Sequence, residues 1–186
     1  LADKHFRNPE IRFVPSRVGP GVYTFNAGHV FSFDACDPAQ LSKAMAEGRS
    51  IVAEHVAYLR KYVKGYERCE LVATAPLLGI RESRRIMGEY TLTREDYVAA
   101  RQFTDQMGLF NKEPDQHIYA PTPQAMAESR RHRENRIDWL PPGKACGLPY
   151  GIVVPQGGWQ NLWVAGRCAS LDRFVHSSAR VMPPCS

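Results

Sequence analysis

The clearest periodicity in the chain runs from Leu41 to Val63. Leu41, Ala44, Met45, Gly48, Ile51, Val52, His55, Val56, Leu59 and Val63 recur at three- and four-residue intervals. That spacing lays one face of an α-helix against a core. Asp37-Pro38 supplies an N-cap and a proline at the first helical position, and Gly65 can close the helix in the left-handed region. Upstream, residues 1–33 mix Phe, Val, Tyr and Gly with prolines and read as short strands and turns. Downstream, Glu70–Ala75 reads as a strand, Pro76–Gly79 as a turn and Ile86–Thr91 as a second strand. Thr93 with Asp96 three residues on forms a capping box. Tyr97, Val98, Arg101, Phe103 and Met107 extend that helix towards Gly108.

The remainder is more broken. Asn111–Pro123 is extended and interrupted by prolines, Gln124–Asn135 reads as a short exposed helix, and Pro141-Pro142-Gly143 is a loop. Gly147–Pro155 alternates loosely as a strand, and Gln156-Gly157-Gly158 turns the chain. The apolar run Asn161–Gly166 has the pattern of a buried strand ending in glycine, where the backbone meets something closely. The elements together predict a mixed α+β fold.

Composition narrows the class. The 186 residues are 44% hydrophobic, ordinary for a globular core. No apolar run approaches the roughly 18 residues that span a bilayer. The net charge is +5. The densest basic cluster, Arg130, Arg131, Arg133 and Arg136 around His132, reads as a solvated helical face. Nucleic-acid binding calls for aromatic interleaving or a known module, and the sequence has neither. Five cysteines without regular spacing or a C-x-x-C argue against a disulfide framework or a metal site. The default compartment is then the reducing cytoplasm. Leu1 is not an initiator Met, and no signal peptide follows it. These features lead us to expect a piece of a longer protein.

Several side chains are candidates for chemistry. Arg81-Glu82-Ser83-Arg84-Arg85 is either a surface ion-pair network or an anion clamp, since arginine holds carboxylates bidentately. Asp115-x-His117 puts both side chains on one face of an extended segment. A carboxylate orienting an imidazole suits proton transfer, and a structural hydrogen bond accounts for the pair equally well. Gly166 is either a tight turn or a point where a ligand approaches the backbone. His176 and Arg180 precede Pro183, a residue suited to the first turn of a helix, whose free N–H groups favour an anion.

The order of motifs resembles one family. Gly79-Ile80-Arg81-Glu82-Ser83-Arg84-Arg85-Ile86-Met87-Gly88-Glu89-Tyr90 is similar to the G-x-R-E-x-R-R-I-x-G-x-Y signature of a group of bacterial FAD-dependent oxidoreductases. Asp115-x-His117, Gly147-Leu148-Pro149-Tyr150, Asn161-Leu162-Trp163-Val164-Ala165-Gly166-Arg167-Cys168 and Arg180-Val181-Met182-Pro183 resemble that group's later steps, in order. The group is distantly similar to the flavoprotein subunits of succinate dehydrogenase and fumarate reductase. The resemblance implies an FAD cofactor and hydride exchange between flavin N5 and a small, anionic substrate. It implies catalytic or substrate-holding roles for Arg180, Arg81, His176 and His117. It places Gly166, Arg167, Cys168, Val181, Met182 and Pro183 against FAD, and it implies no metal.

By the same resemblance, residues 1–146 form the substrate-side cap and residues 147–186 return to the FAD-binding α/β domain, which is incomplete here. The family's G-x-G-x-x-G pyrophosphate cradle does not occur in the sequence. The closest glycine pairs, Gly19-Pro20-Gly21 and Gly157-Gly158, open no helix. The chain is therefore expected to need a missing N-terminal FAD-binding segment, or to self-associate. The alternative is a non-catalytic substrate-binding or interaction module that does not hold FAD by itself. No nucleic-acid or membrane partner is expected.

Overall fold

A computed structural model describes residues 14–116, 120 and 122–181. The fold is mixed α+β, in agreement with the sequence pattern. Among the described residues, helices accompany two small antiparallel sheets of two strands each. The chain divides into two compact units, Leu1–Ile80 with Ile118–Met126, and Arg81–His117 with Ala127–Ser186.

In the first unit, β1 (Val14–Gly19) and β2 (Val22–Asn26) form a hairpin. Its turn is Pro20-Gly21, with Gly21 at φ +69°, the backbone that proline followed by glycine favours in a type II turn. Tyr66 packs on Tyr23 and Phe25, with ring centroids 6.1 and 5.8 Å apart. The long helix α1 spans Pro38–Tyr62. The Asp37 carboxylate caps it by accepting from the Ala39 N–H at 2.8 Å. Ala44, Ile51, His55 and Leu59 form its buried stripe, and Gly65 follows at φ +92°, as the periodicity predicts. The strand expected at Glu70–Ala75 does not form. The segment has no ladder partner among the described residues and leaves Val72 85% exposed. Strand propensity reports fitness for a half-buried pleated surface, and this segment has no such surface to join.

The second unit holds the larger core: Leu92, Tyr97, Phe110, Cys146, Ile152, Leu171, Val175 and Ala179. Thr93 and Asp96 make the expected capping box for α2, but α2 covers only Arg94–Val98. Ala100 takes a left-handed φ of +51°, and Gln106–Phe110 becomes strand β3. The helix that the spacing predicts to Gly108 is thus cut short. The reason is non-local: β3 pairs antiparallel with β4 (Cys146–Pro149), and Arg101 folds back onto Asp96 at 2.8 Å.

The strand expected over Ile86–Thr91 is replaced by single bonds to scattered partners. Ile86 donates to Cys168 O, Glu89 to Val154 O, and Tyr90 to Gly151 O. Gly88 makes a single antiparallel bridge with Pro155, and the chain then turns at Tyr150–Ile152, so no ladder propagates. Gly147–Pro155 is strand only to Pro149, then a 3₁₀ turn at Tyr150–Ile152. Asn161–Gly166 forms no strand ladder, its backbone held by the Val164 N–H donating to Val153 O at 2.8 Å, and Trp163 is 57% exposed. Helix α3 spans Pro123–Glu134, close to the expected bounds, and α4 spans Arg173–Ala179. The helix start expected at Pro183 lies outside the described residues.

Two packing tests follow. Leu92 is fully buried in this core, so Leu92→Ala is expected to lower the unfolding free energy by about 2–5 kcal/mol. A Cβ on Gly88 would sit 2.6 Å from Ser170 Cβ and 2.8 Å from Gly151 O. Gly88→Ala is expected to cost about 1–3 kcal/mol. Urea midpoints measure both, and a wild-type midpoint for either variant contradicts the packing described.

Candidate functional site

Helix α4 positions the site. Its N-cap, Asp172, accepts from the Val175 N–H at 2.7 Å and from the Arg94 N–H at 2.6 Å, so one carboxylate ties the starts of α4 and α2. Every residue from Val175 to Ala179 is buried, and the polar ones are bonded internally. Ser177 donates to Phe174 O at 2.7 Å, and Ser178 donates to Lys112 O. Tyr97 also donates its hydroxyl to Lys112 O, at 2.8 Å, and the Asp115 N–H donates to Ser177 O. The segment Lys112–Asp115 is thereby laid along α4.

Arg180 emerges as the C-cap of α4. Its guanidinium donates to Asp115 O at 3.0 Å and to Asp115 Oδ2 at 3.4 Å. Arg81 donates to the same Oδ2. The Arg180 side chain is 11% exposed, against 38% for both Arg81 and Asp115. Burial, then the neighbouring Arg81 cation, press the Arg180 pKa downward, while Asp115 and Glu82 oppose that. Arginine remains charged through such a shift. Nearby, Arg85 pairs with Glu82 at 2.7 Å. Arg81 Nε is buried with no hydrogen-bond partner among the described residues.

His176 lies in the buried face of α4, its Nε2 3.2 Å from Arg167 O. A carbonyl only accepts, so Nε2 carries the proton and donates. Burial first, and the Arg85 cation second, hold the His176 pKa below its ordinary value. The bond steadies the 3₁₀ turn Gly166–Cys168, whose first residue has φ +74°. The structure therefore brings Arg81, His176, Arg180 and Arg167 into one neighbourhood. Cys168 is exposed and Val181 half-buried. His117, Met182 and Pro183 lie outside the described residues. The pairing of Asp115 with His117 that the spacing suggests lies outside the described residues. Among the described residues the Asp115 carboxylate meets Arg81 and Arg180, 34 and 65 residues away, and no local pattern signals contacts of that separation.

Beside this cluster runs an apolar groove of about 560 Å³, walled by Met107, Leu109, Leu148, Tyr150, Trp163 and Gly166. Trp163 donates its indole N–H to the Tyr150 hydroxyl. Ala179 also lines the groove, so two chain steps, Ala179 to Arg180 and Gly166 to Arg167, lead from its wall into the arginine cluster. An aromatic and aliphatic wall beside fixed cations suits a planar, partly apolar ring with a polar end rich in acceptor oxygens. The glycine pairs offer no phosphate cradle. Gly19-Pro20-Gly21 is the hairpin turn and Gly157-Gly158 lies in a bend, and neither opens a helix. The groove's lining therefore fits a flavin ring, and no glycine cradle for the pyrophosphate stands among the described residues.

Among the described residues, no group of His, Cys, Asp and Glu is arranged to hold a metal ion. No helix among them is long and apolar enough to cross a membrane. A family model described as FAD dependent oxidoreductase matches residues 3–186. No curated protein and no solved structure matches the chain.

The depressed His176 pKa has a pH consequence. The unfolded state takes up a proton near pH 6.5, roughly the ordinary histidine value, while the folded imidazole stays neutral to lower pH. Stability from this group is complete above that value and is lost as pH falls towards the folded pKa. His55, also buried with its pKa lowered, acts with the same sign. In urea unfolding from about pH 7 to pH 5, His176→Gln is expected to flatten the loss of stability without abolishing it. A slope equal to wild type would remove His176 from the account.

Proposed function

The chain belongs to the FAD-dependent oxidoreductase family, and from that premise we propose that it takes part in hydride exchange between a small anionic substrate and the flavin. The observation that carries this reading is the convergence of Arg81 and Arg180 on one carboxylate beside the apolar groove. Among the described residues, Arg81, Arg85, Arg167 and Arg180 act there against Glu82 and Asp115, while Glu113 beside them is paired with Lys112. A half-buried excess of positive charge favours an anion, and guanidinium planes match a carboxylate with two parallel bonds. FAD, when bound, supplies the two-electron chemistry at flavin N5.

Arg180 and Arg81 would hold and orient the substrate anion. The turn at Gly166, Arg167 and Cys168, with Val181, Met182 and Pro183, would face the cofactor. Met107, Leu109 and Trp163 would exclude water from the ring's apolar edge. His176 has its Nε2 proton committed to Arg167 O, which favours a role in steadying the cofactor-side turn. His117 stays the candidate for moving a proton on or off the substrate. The absence of a glycine cradle from the sequence favours a second reading for this chain alone, a non-catalytic substrate-binding or interaction module that does not hold FAD by itself.

Titrating the chain with FAD and following visible flavin absorbance through gel filtration separates the two readings. Co-elution supports the first, and complete loss of flavin supports the second. In the FAD-loaded protein, small hydroxy- and saturated carboxylic acids are tested for anaerobic bleaching of the flavin. Arg180→Ala is expected to slow bleaching by the active acid roughly 10²–10³-fold, the effect of losing a fixed charge aimed at the reacting group. Wild-type rates in that variant would take Arg180 out of the site.

A further inference from the structure

We propose that Asp115 is the positioning residue of the arginine pair: it sets where the Arg180 and Arg81 guanidiniums point. The proposal rests on the anion-site reading above for its functional meaning, while its geometric core stands on the contacts alone. Asp115 is anchored through its backbone before its side chain is used. Its N–H donates to Ser177 O at 3.3 Å, in the buried body of α4. Upstream, the Lys112 carbonyl is held by the hydroxyls of both Tyr97 and Ser178. The carboxylate therefore projects from a segment fixed at two places. A rigid support of this kind is what a precise charge needs.

Two guanidiniums brought to one point repel each other, and a shared carboxylate oxygen converts that arrangement into an attractive one. The contacts are unequal. Arg180 is held by the Asp115 backbone carbonyl at 3.0 Å as well as by Oδ2 at 3.4 Å. Arg81 has only the carboxylate bond to this residue. Loss of the side chain therefore leaves Arg180 one anchor on Asp115 and Arg81 none. Because both Arg81 and Asp115 are 38% exposed, an arriving anion can reach the pair from solvent.

The test uses the ¹⁵N-labelled chain, with and without FAD, and reads the arginine Nε–H signals, assigned with Arg81→Lys and Arg180→Lys. In Asp115→Ala, both signals are expected to move, with Arg81 moving further than Arg180. Asp115→Asn keeps an acceptor oxygen and the side-chain size, and guards against a folding defect. It is expected to move the same signals less, in the same order. With acetate as the probe anion, Asp115→Ala is expected to bind roughly tenfold more weakly, the scale of the one charge-assisted hydrogen bond to acetate that is lost when Arg81 leaves its position.

Unmoved Arg81 and Arg180 signals in a folded Asp115→Ala protein would overturn the proposal. So would acetate binding that tightens in both variants, which is the mark of a carboxylate that only competes with the anion. Signals that move in the stated order, in a wild-type protein that does not bind acetate, would support the positioning and refute the anion-site reading.

Discussion

A helix of seven residues has too few internal hydrogen bonds to persist alone, yet α4 is buried along most of its length. Its existence therefore depends on what caps and surrounds it, and first on the Asp172 carboxylate. That one group satisfies N–H donors at the starts of both α4 and α2, and the Asp172 N–H is itself paired with Leu92 O. Buried polar groups are costly when unpaired, and in α4 the serines and the histidine each find a carbonyl. The result is a rigid short element from which Arg180 leaves at a set position.

The electrostatics of the site follow from that placement. Arg180 is mostly buried and stays charged, so the surroundings must supply counter-charge. Among the described residues, Asp115 is shared between two guanidiniums and Glu82 is largely engaged by Arg85. An apolar groove adjoins the cluster through consecutive residues, Ala179 with Arg180 and Gly166 with Arg167. Low-polarity walls beside fixed cations strengthen the local field. That combination suits a ligand with an apolar plane and an anionic end.

The second unit shows how short-range preferences yield to pairing at a distance. Helical spacing continues past Val98 on paper, but Gln106–Phe110 gains a ladder with Cys146–Pro149 and Phe103 packs edge-on against Tyr90, with ring centroids 5.3 Å apart. A strand ladder and a buried aromatic contact outweigh the few tenths of a kcal/mol per residue that separate ordinary helix propensities. The same competition leaves Asn161–Gly166 without a strand ladder, joined to the fold by the Val164 N–H on Val153 O and the Trp163 indole on Tyr150. Its apolar composition suits a buried strand, but burial requires a neighbour and the composition does not provide one.

The sequence by itself determined what is encoded within one or two turns of chain. The α1 stripe and its Asp37 cap, the Thr93–Asp96 capping box, the α3 bounds and the mixed α+β class were all legible, because each rests on residues three or four apart. The family was legible too, from motifs in a fixed order. The tertiary structure alone decided that Arg81 and Arg180 meet at Asp115, the buried donor role of His176 and the truncation of α2. In each case the deciding contact reaches beyond one or two turns of chain, or sets one local preference against a distant one. Periodicity carries no record of such contacts. Arg81 and Arg180 were visible as candidates from the start. That one carboxylate holds both is a fact of three-dimensional placement.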